Sequence, residues 1–271
     1  MEHAPKNMIR KKMIITLKKF NFICIFKNTP NSMVTKNQIN LIRQIKRKRN
    51  RKEKKLFIVE GKKSIDEFLT SNHKLYEIYS THPTEINTDN VIKISDIELS
   101  MLSSLKKPNK HIAIFYQKNE ILKNRNFYIL FDRVSDPGNL GTILRTCHWF
   151  GVDQIVCSKD SVDCYNSKVV QSSMGSLSKV NIVYTDLIEF IKKTNKKIFA
   201  ASLSGKSIID FNFKDFDGIL VFGSESNGLS EKIKMLVDDF ISIPNTNHNL
   251  YPNSLNLSIS VAIFLSKING I

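Results

Sequence analysis

Apolar residues recur along the chain at alternating spacings, and the alternation predicts most of the elements. From Lys36, the residues Ile39, Ile42 and Ile45 recur at every third position, and apart from Leu41 the residues between them are polar or basic. That pattern predicts an amphipathic helix with a basic outer face, running on into Lys46-Arg47-Lys48-Arg49-Asn50-Arg51-Lys52. The run Leu56-Phe57-Ile58-Val59 is short and continuous, as a buried strand is, and a helix follows Glu60-Gly61 to about Thr70. Strands are predicted over 75–79 and 91–94. Ser95-Asp96-Ile97-Glu98 has the Ser-x-x-Glu spacing of a capping box and opens a helix to about Leu105. A strand over 111–116 closes this set.

Residues 117–126 are polar and without period, a linker. The alternation then restarts, with strands over 127–131, 154–157, 182–184, 198–203, 219–222 and 240–243. Helices are predicted over 140–150 and 168–174, from Asp186, from Ser230, and over 255–268. Strands alternating with helices imply a mainly parallel sheet covered on both faces, with ligands at the loops leaving the strands' carboxyl ends. The chain therefore divides into a small α/β domain (33–117), a linker (118–126) and a larger α/β domain (127–271). Residues 1–32 stand apart. Their apolar runs are split by Lys18 and Lys19 and fall short of the roughly 20 residues of a membrane span. With no secretory cleavage pattern, they are expected to be a basic, poorly ordered extension.

Charge sharpens this division. The net charge is +16, and residues 1–63 carry all of it, with 19 basic against 3 acidic side chains; 22 of each sign remain beyond. Within that segment, residues 33–63 hold 12 basic and 2 acidic side chains. Such a segment beside a neutral remainder points to a polyanion, nucleic acid before membrane, while 41% hydrophobic residues exclude a disordered polybasic chain. The candidate RNA contacts are Lys46, Arg47, Lys48, Arg49, Arg51 and Lys52. Four cysteines with no CxxC pair fit a reducing cytoplasm and no disulfide scaffold, and six histidines with no ligand spacing imply no metal.

Three strand-exit loops carry candidate chemistry. The first, from Asp132, contains Asp136-Pro137-Gly138-Asn139-Leu140-Gly141-Thr142-Ile143-Leu144-Arg145-Thr146, with Asn139 expected to cap the following helix. The second is Gly223-Ser224-Glu225-Ser226-Asn227-Gly228-Leu229-Ser230, where Gly223 permits close backbone approach. The third joins Ile243-Pro244 to Ser254-Leu255-Asn256, with a serine expected as helix cap. Neither GxGxxG nor GxxxxGK[ST] is present, which disfavours a nicotinamide enzyme or a P-loop.

Taken together and in this order, the loops resemble the three motifs of the SpoU family of RNA ribose methyltransferases, of the SPOUT class. Ser173-Met174-Gly175 resembles an intervening segment of that family, and Lys36 through Gly61 its small RNA-binding domain, related in shape to a ribosomal protein. The resemblance implies a trefoil-knotted C-terminal domain, S-adenosylmethionine as cofactor, a homodimer, and methyl transfer to a ribose 2′-hydroxyl of ribosomal RNA. It matches Asn139, Arg145, Glu225, Ser254 and Asn256 to catalytic positions, and Leu203, Gly223, Ile243 and Leu255 to cofactor contacts. Arg145 matches the family's proposed base; an arginine pKa above about 12 makes a phosphate clamp an equally physical role. Departures are Ser224 and Ser226 in the second motif, Cys147 and His148 after Arg-Thr, and a longer 245–253 link. Cys147 is expected to be a small packing residue. Transfer RNA as substrate, and a non-catalytic RNA-binding or assembly factor, are the alternatives; the complete set of matched residues speaks against the second.

Overall fold

Thr35 opens the first helix, α1 (Lys36–Ile45), through a capping box with Gln38. Its three-residue spacing is the packed face: Ile42 and Ile45 are buried and Ile39 is half-buried. The computed structural model describes residues 34–213, 216–245 and 254–271. The expectation for residues 1–32 lies outside them, as does most of the 245–253 link.

The basic stretch does not continue α1 as predicted. Arg47 is extended (φ −89°, ψ 131°), a second helix α2 (Lys48–Lys54) starts behind it, and Lys55 ends it at φ 55°. The break has a physical cause. No apolar residue after Ile45 would extend the packed face, and the Arg51 guanidinium donates to the carbonyls of Ile45 and Lys46 (3.1 and 2.9 Å). Those are the carbonyls a helix end leaves unpaired.

Four strands follow, β1 (Leu56–Glu60), β2 (Leu75–Ser80), β3 (Val91–Lys93) and β4 (His111–Tyr116), in the order β1-β4-β2-β3. β4 is antiparallel to both β1 and β2, while β2 and β3 are parallel. Side chains alternate across this sheet. Leu56, Ile58 and Ile114 pack with α1 and with α4 (Asp96–Leu102), whose Ser95–Glu98 capping box forms as predicted. Phe57, Val59 and Phe115 face α3 (Lys62–Leu69) and the larger domain.

The second sheet has seven parallel strands in the order β7-β6-β5-β10-β8-β11-β9. They are β5 (Phe127–Phe131), β6 (Gln154–Ser158), β7 (Asn181–Thr185), β8 (Ile198–Ser202), β9 (Lys206–Ser207), β10 (Gly218–Phe222) and β11 (Asp239–Ser242). β10 enters between β5 and β8, out of chain order. One face packs on α5 (Pro137–Trp149), α6 (Ser167–Ser172) and α9 (Leu257–Ile268), the other on α7 (Leu187–Lys193) and α8 (Glu231–Lys234). Gly141 sets the α5–α6 spacing, since a Cβ there would lie 1.9 Å from Ser172 Oγ.

The two sheets share one core. Phe57 of β1 packs at a tilt against Tyr165, with centroids 4.5 Å apart. Beside it the Arg51 guanidinium donates to Asp163 Oδ2 (2.6 and 3.0 Å), a pair with side-chain exposures of 4% and 10%.

Candidate functional site

The site forms where β5, β8, β10 and β11 end. Asp132, buried at the exit of β5, accepts from the backbone N–H of Ser230 (2.7 Å) and pairs with Arg133 (3.2 Å). Arg133 reaches Gly228 O at 3.4 Å from a left-handed backbone (φ 60°). The first loop is thus tied to the second where the latter's turn ends, at Gly228 and Ser230.

Helix α5 begins at Pro137, whose missing N–H costs nothing there, and Asp136 caps it by accepting from Asn139 N (2.7 Å). The cap is therefore Asp136, not Asn139 as the sequence suggested. That frees the Asn139 side chain to face the other loops. Its Nδ2 donates to Glu225 Oε1 (2.9 Å), and its Oδ1 accepts from Asn256 Nδ2 (2.9 Å). Asn256 in turn caps α9, its Oδ1 accepting from Ser258 N (2.9 Å) and Ser258 Oγ (2.6 Å). This again moves a predicted cap, from Ser254 to Asn256. The second Glu225 oxygen faces Ser135 N at 3.4 Å. All three loops are joined in one chain of hydrogen bonds, Glu225–Asn139–Asn256–Ser258.

This chain borders a cleft of about 1040 Å³. Leu203, Gly223 and Ile243, each the residue after a strand, line it with Leu255 and Ser254. Gly223 has no room for a side chain, because a Cβ would come within 2.2 Å of the Gly228 backbone. Leu203 and Leu255 are 75% and 45% exposed, so the cleft presents apolar surface as well as polar groups. Asn139, Glu225, Ser254 and Asn256 are therefore brought together with the four expected cofactor positions. Arg145 is not. It lies further along α5, exposed and outside this cleft, with no hydrogen bond or ion pair among the described residues. Nearby, Thr142, Thr146, Ile259 and Ile263 line an apolar groove of about 630 Å³ between α5 and α9.

Asp132, Arg133, Asp136 and Ser258 escaped sequence reasoning as site residues, although a polar residue directly after the five apolar residues of β5 was a usable signal. Cys147 is fully buried, and burial pushes its thiol up to about 12, so it packs and does not react.

On the basic segment, Arg47, Lys48, Arg49 and Lys52 are exposed. Lys46 is half-buried, donates to Ser103 O (2.9 Å), and has its pKa lowered by burial. Arg51 corrects the expectation: its guanidinium is held by Asp163 and the α1 carbonyls and has no face left for RNA. Among the described residues no acidic, His or Cys cluster could hold a metal, and no helix is long and apolar enough to cross a membrane.

A seven-stranded parallel α/β domain with its site on three strand-exit loops defines the class of fold, and comparison with known proteins gives the family. Residues 126–266 match the SpoU rRNA methylase family, and residues 36–113 match an MRM3-like substrate-binding domain. The chain belongs to the SpoU rRNA methylase family, and its fold is the SPOUT α/β fold expected from the motifs, with a smaller N-terminal domain. A 23S rRNA (guanosine(2553)-2′-O)-methyltransferase, RlmP of Bacillus subtilis, is 25% identical over 82% of this chain and 92% of that protein. A putative RNA methyltransferase of the TrmH family from Porphyromonas gingivalis superposes with a TM-score of 0.78 at 27% identity, covering 88% of this chain and 98% of that one. An AdoMet-bound rRNA methyltransferase from Sinorhizobium meliloti shares the fold, with a TM-score of 0.78 at 24% identity over 89% and 97% of the two chains.

Proposed function

We propose that the protein is an S-adenosylmethionine-dependent RNA ribose 2′-O-methyltransferase, acting on ribosomal RNA in the cytoplasm as a homodimer. The observation that carries this reading is the hydrogen-bonded chain Glu225–Asn139–Asn256, which unites three loops far apart in sequence at the mouth of one cleft. Family membership and the 23S rRNA specificity of the Bacillus subtilis relative support the substrate class.

The cleft suits the cofactor. Its volume fits a nucleoside-sized ligand, Leu203 and Leu255 offer apolar faces to a heterocycle, and three strand exits offer backbone groups. When bound, the cofactor supplies an electrophilic sulfonium methyl. Glu225 holds Asn139, and Asn139 holds Asn256, so that Asn256 and Ser254 are set to orient a hydroxyl at the cleft. The ribose hydroxyl must lose its proton as it attacks. Arg145, always charged, acts best as a clamp that fixes the neighbouring phosphate and orients that hydroxyl. It stands outside its own chain's cleft, beside the apolar α5–α9 groove. That placement supports the homodimer reading, in which the groove meets a second copy and Arg145 serves a cleft other than its own.

Incubation with methyl-labelled S-adenosylmethionine and RNA from cells lacking the protein tests the reading, with ribose-methylated nucleotides as the expected product. Absence of transfer to any RNA would favour a non-catalytic binding factor; transfer to transfer RNA alone would replace the ribosomal substrate.

A further inference from the structure

The N-terminal domain carries an exposed aromatic pair that nothing in the cleft or the basic helix uses. Tyr76 of β2 and Tyr116 of β4 meet edge to face, with centroids 5.6 Å apart, and are 44% and 36% exposed. The strand pairing between β2 and β4 is irregular at this point, shifting register between Leu75 and Glu77. A bulge of this kind re-aims a side chain, and here the residue it re-aims is Tyr76.

The surroundings are cationic. Lys74 Nζ lies 5.6 Å from the centre of the Tyr116 ring. On the other side, Tyr116 is paired with Leu56, the residue after Lys54 and Lys55 at the end of α2. Gln117 fastens that junction. Its backbone N–H donates to Lys55 O (2.8 Å) and its side chain to Arg51 O (3.0 Å) and Leu56 O (3.2 Å). The aromatic pair is thus held at a fixed place between Lys74 on one side and Lys54 and Lys55 on the other, all three exposed.

We propose that Tyr76 and Tyr116 form a stacking platform for unpaired bases of the RNA, with Lys74, Lys54 and Lys55 on the flanking phosphates. The inference rests on the RNA reading above. Interleaved rings and cations suit a single strand, whose bases are free to stack; a duplex keeps its bases stacked inside and offers only phosphates to such a surface.

The test uses the full-length protein and a fluorescent RNA of mixed sequence, about a dozen nucleotides long, either single-stranded or annealed to its complement. Anisotropy titrations at one fixed salt concentration give both affinities. Replacing both rings, Tyr76→Leu with Tyr116→Leu, should weaken single-strand binding about tenfold and leave duplex binding within about twofold. Tyr76→Phe with Tyr116→Phe keeps the ring faces and should bind both probes as the natural protein does. The Phe variant also separates stacking from any loss of folding, which a melting curve reports directly. Equal losses on both probes, or none on either, would overturn the platform while leaving RNA binding intact. If the natural protein binds neither probe, the RNA reading falls first. Dissociation of an oligomer by the Leu variant in sedimentation would assign the pair to a second copy of the chain instead.

Discussion

The cleft and the basic helix face differ in how their functional side chains are held. At the cleft, Glu225, Asn139, Asn256 and Ser258 hold one another, and Asp132 with Arg133 ties the loops beneath them. On α2, Lys48, Arg49 and Lys52 stand exposed, with no ion pair or hydrogen bond from their side chains among the described residues. The contrast fits the work proposed for each region. Methyl transfer needs reacting atoms aligned to fractions of an ångström, which loops deliver only when their side chains brace each other. Phosphate attraction is long-ranged and tolerant of position, so unbraced cations serve it.

The largest expected effect falls on Arg145, the matched catalytic residue that stands outside the cleft. Arg145→Ala should lower methyl transfer on the order of a thousandfold, the scale of a group engaged with the reacting hydroxyl. Calorimetry should find cofactor affinity nearly unchanged, since a phosphate clamp acts on the RNA and not on the cofactor. Arg145→Lys divides the two roles open to it. Near-complete loss fits a bidentate phosphate clamp, and substantial retained activity argues against any need for the planar fork.

Next in size is Arg51, a basic residue by sequence and a braced one by structure. Arg51→Ala leaves Asp163 buried without its cation and should destabilise the protein by about 3 to 5 kcal/mol in denaturant unfolding. Lys52→Ala, one position on and exposed, should change stability by less than about 0.5 kcal/mol. Equal effects at the two positions would erase the distinction between them.

This pair also marks what the sequence could and could not convey. Both residues sit in the same basic run, and only the arrival of Asp163, 112 positions later, separates them. The cleft was more legible because each motif is local: a strand end, a tight turn and a helix start are written in consecutive residues. Even there the caps moved from Asn139 to Asp136 and from Ser254 to Asn256, because several adjacent residues are competent caps and packing selects among them. The end of α1 at Lys46 had no breaker residue to announce it; the apolar face ran out, and Arg51 took the free carbonyls. The insertion of β10 between β5 and β8 is a pairing of distant segments that no local pattern encodes.

The interior of the N-terminal domain sharpens the comparison by pH. His73 is buried against Phe57 and Phe68, its Nε2 has no hydrogen-bond partner among the described residues, and burial lowers its pKa to about 3. In the unfolded chain the same ring titrates near 6.5. Between those values the unfolded state binds the extra proton, so the stability this residue contributes is complete above about pH 6.5 and declines as pH falls towards 3. From pH 7 to pH 5 the natural protein should lose about 2 kcal/mol more than a His73→Phe variant. Parallel unfolding curves for the two proteins across that range would mean that the folded ring accepts the proton.

The smallest effects test the contrast most directly, because they concern additivity. Removing one phosphate contact, as in Lys52→Ala, should weaken RNA binding roughly fivefold and reduce the slope of log affinity against log salt by about 0.7 to 0.9. Lys48→Ala should do the same, and the double variant should show the product of the two losses, since neither side chain holds the other. The braced pair should behave otherwise. Asn139→Ala and Asn256→Ala each break the same 2.9 Å hydrogen bond, so in methyl transfer the double variant should lose little more than the worse single one. Independence of the two asparagines would mean that the bonds joining the loops are not what organises the cleft, and coupling between the lysines would mean that the cations of α2 do not act singly.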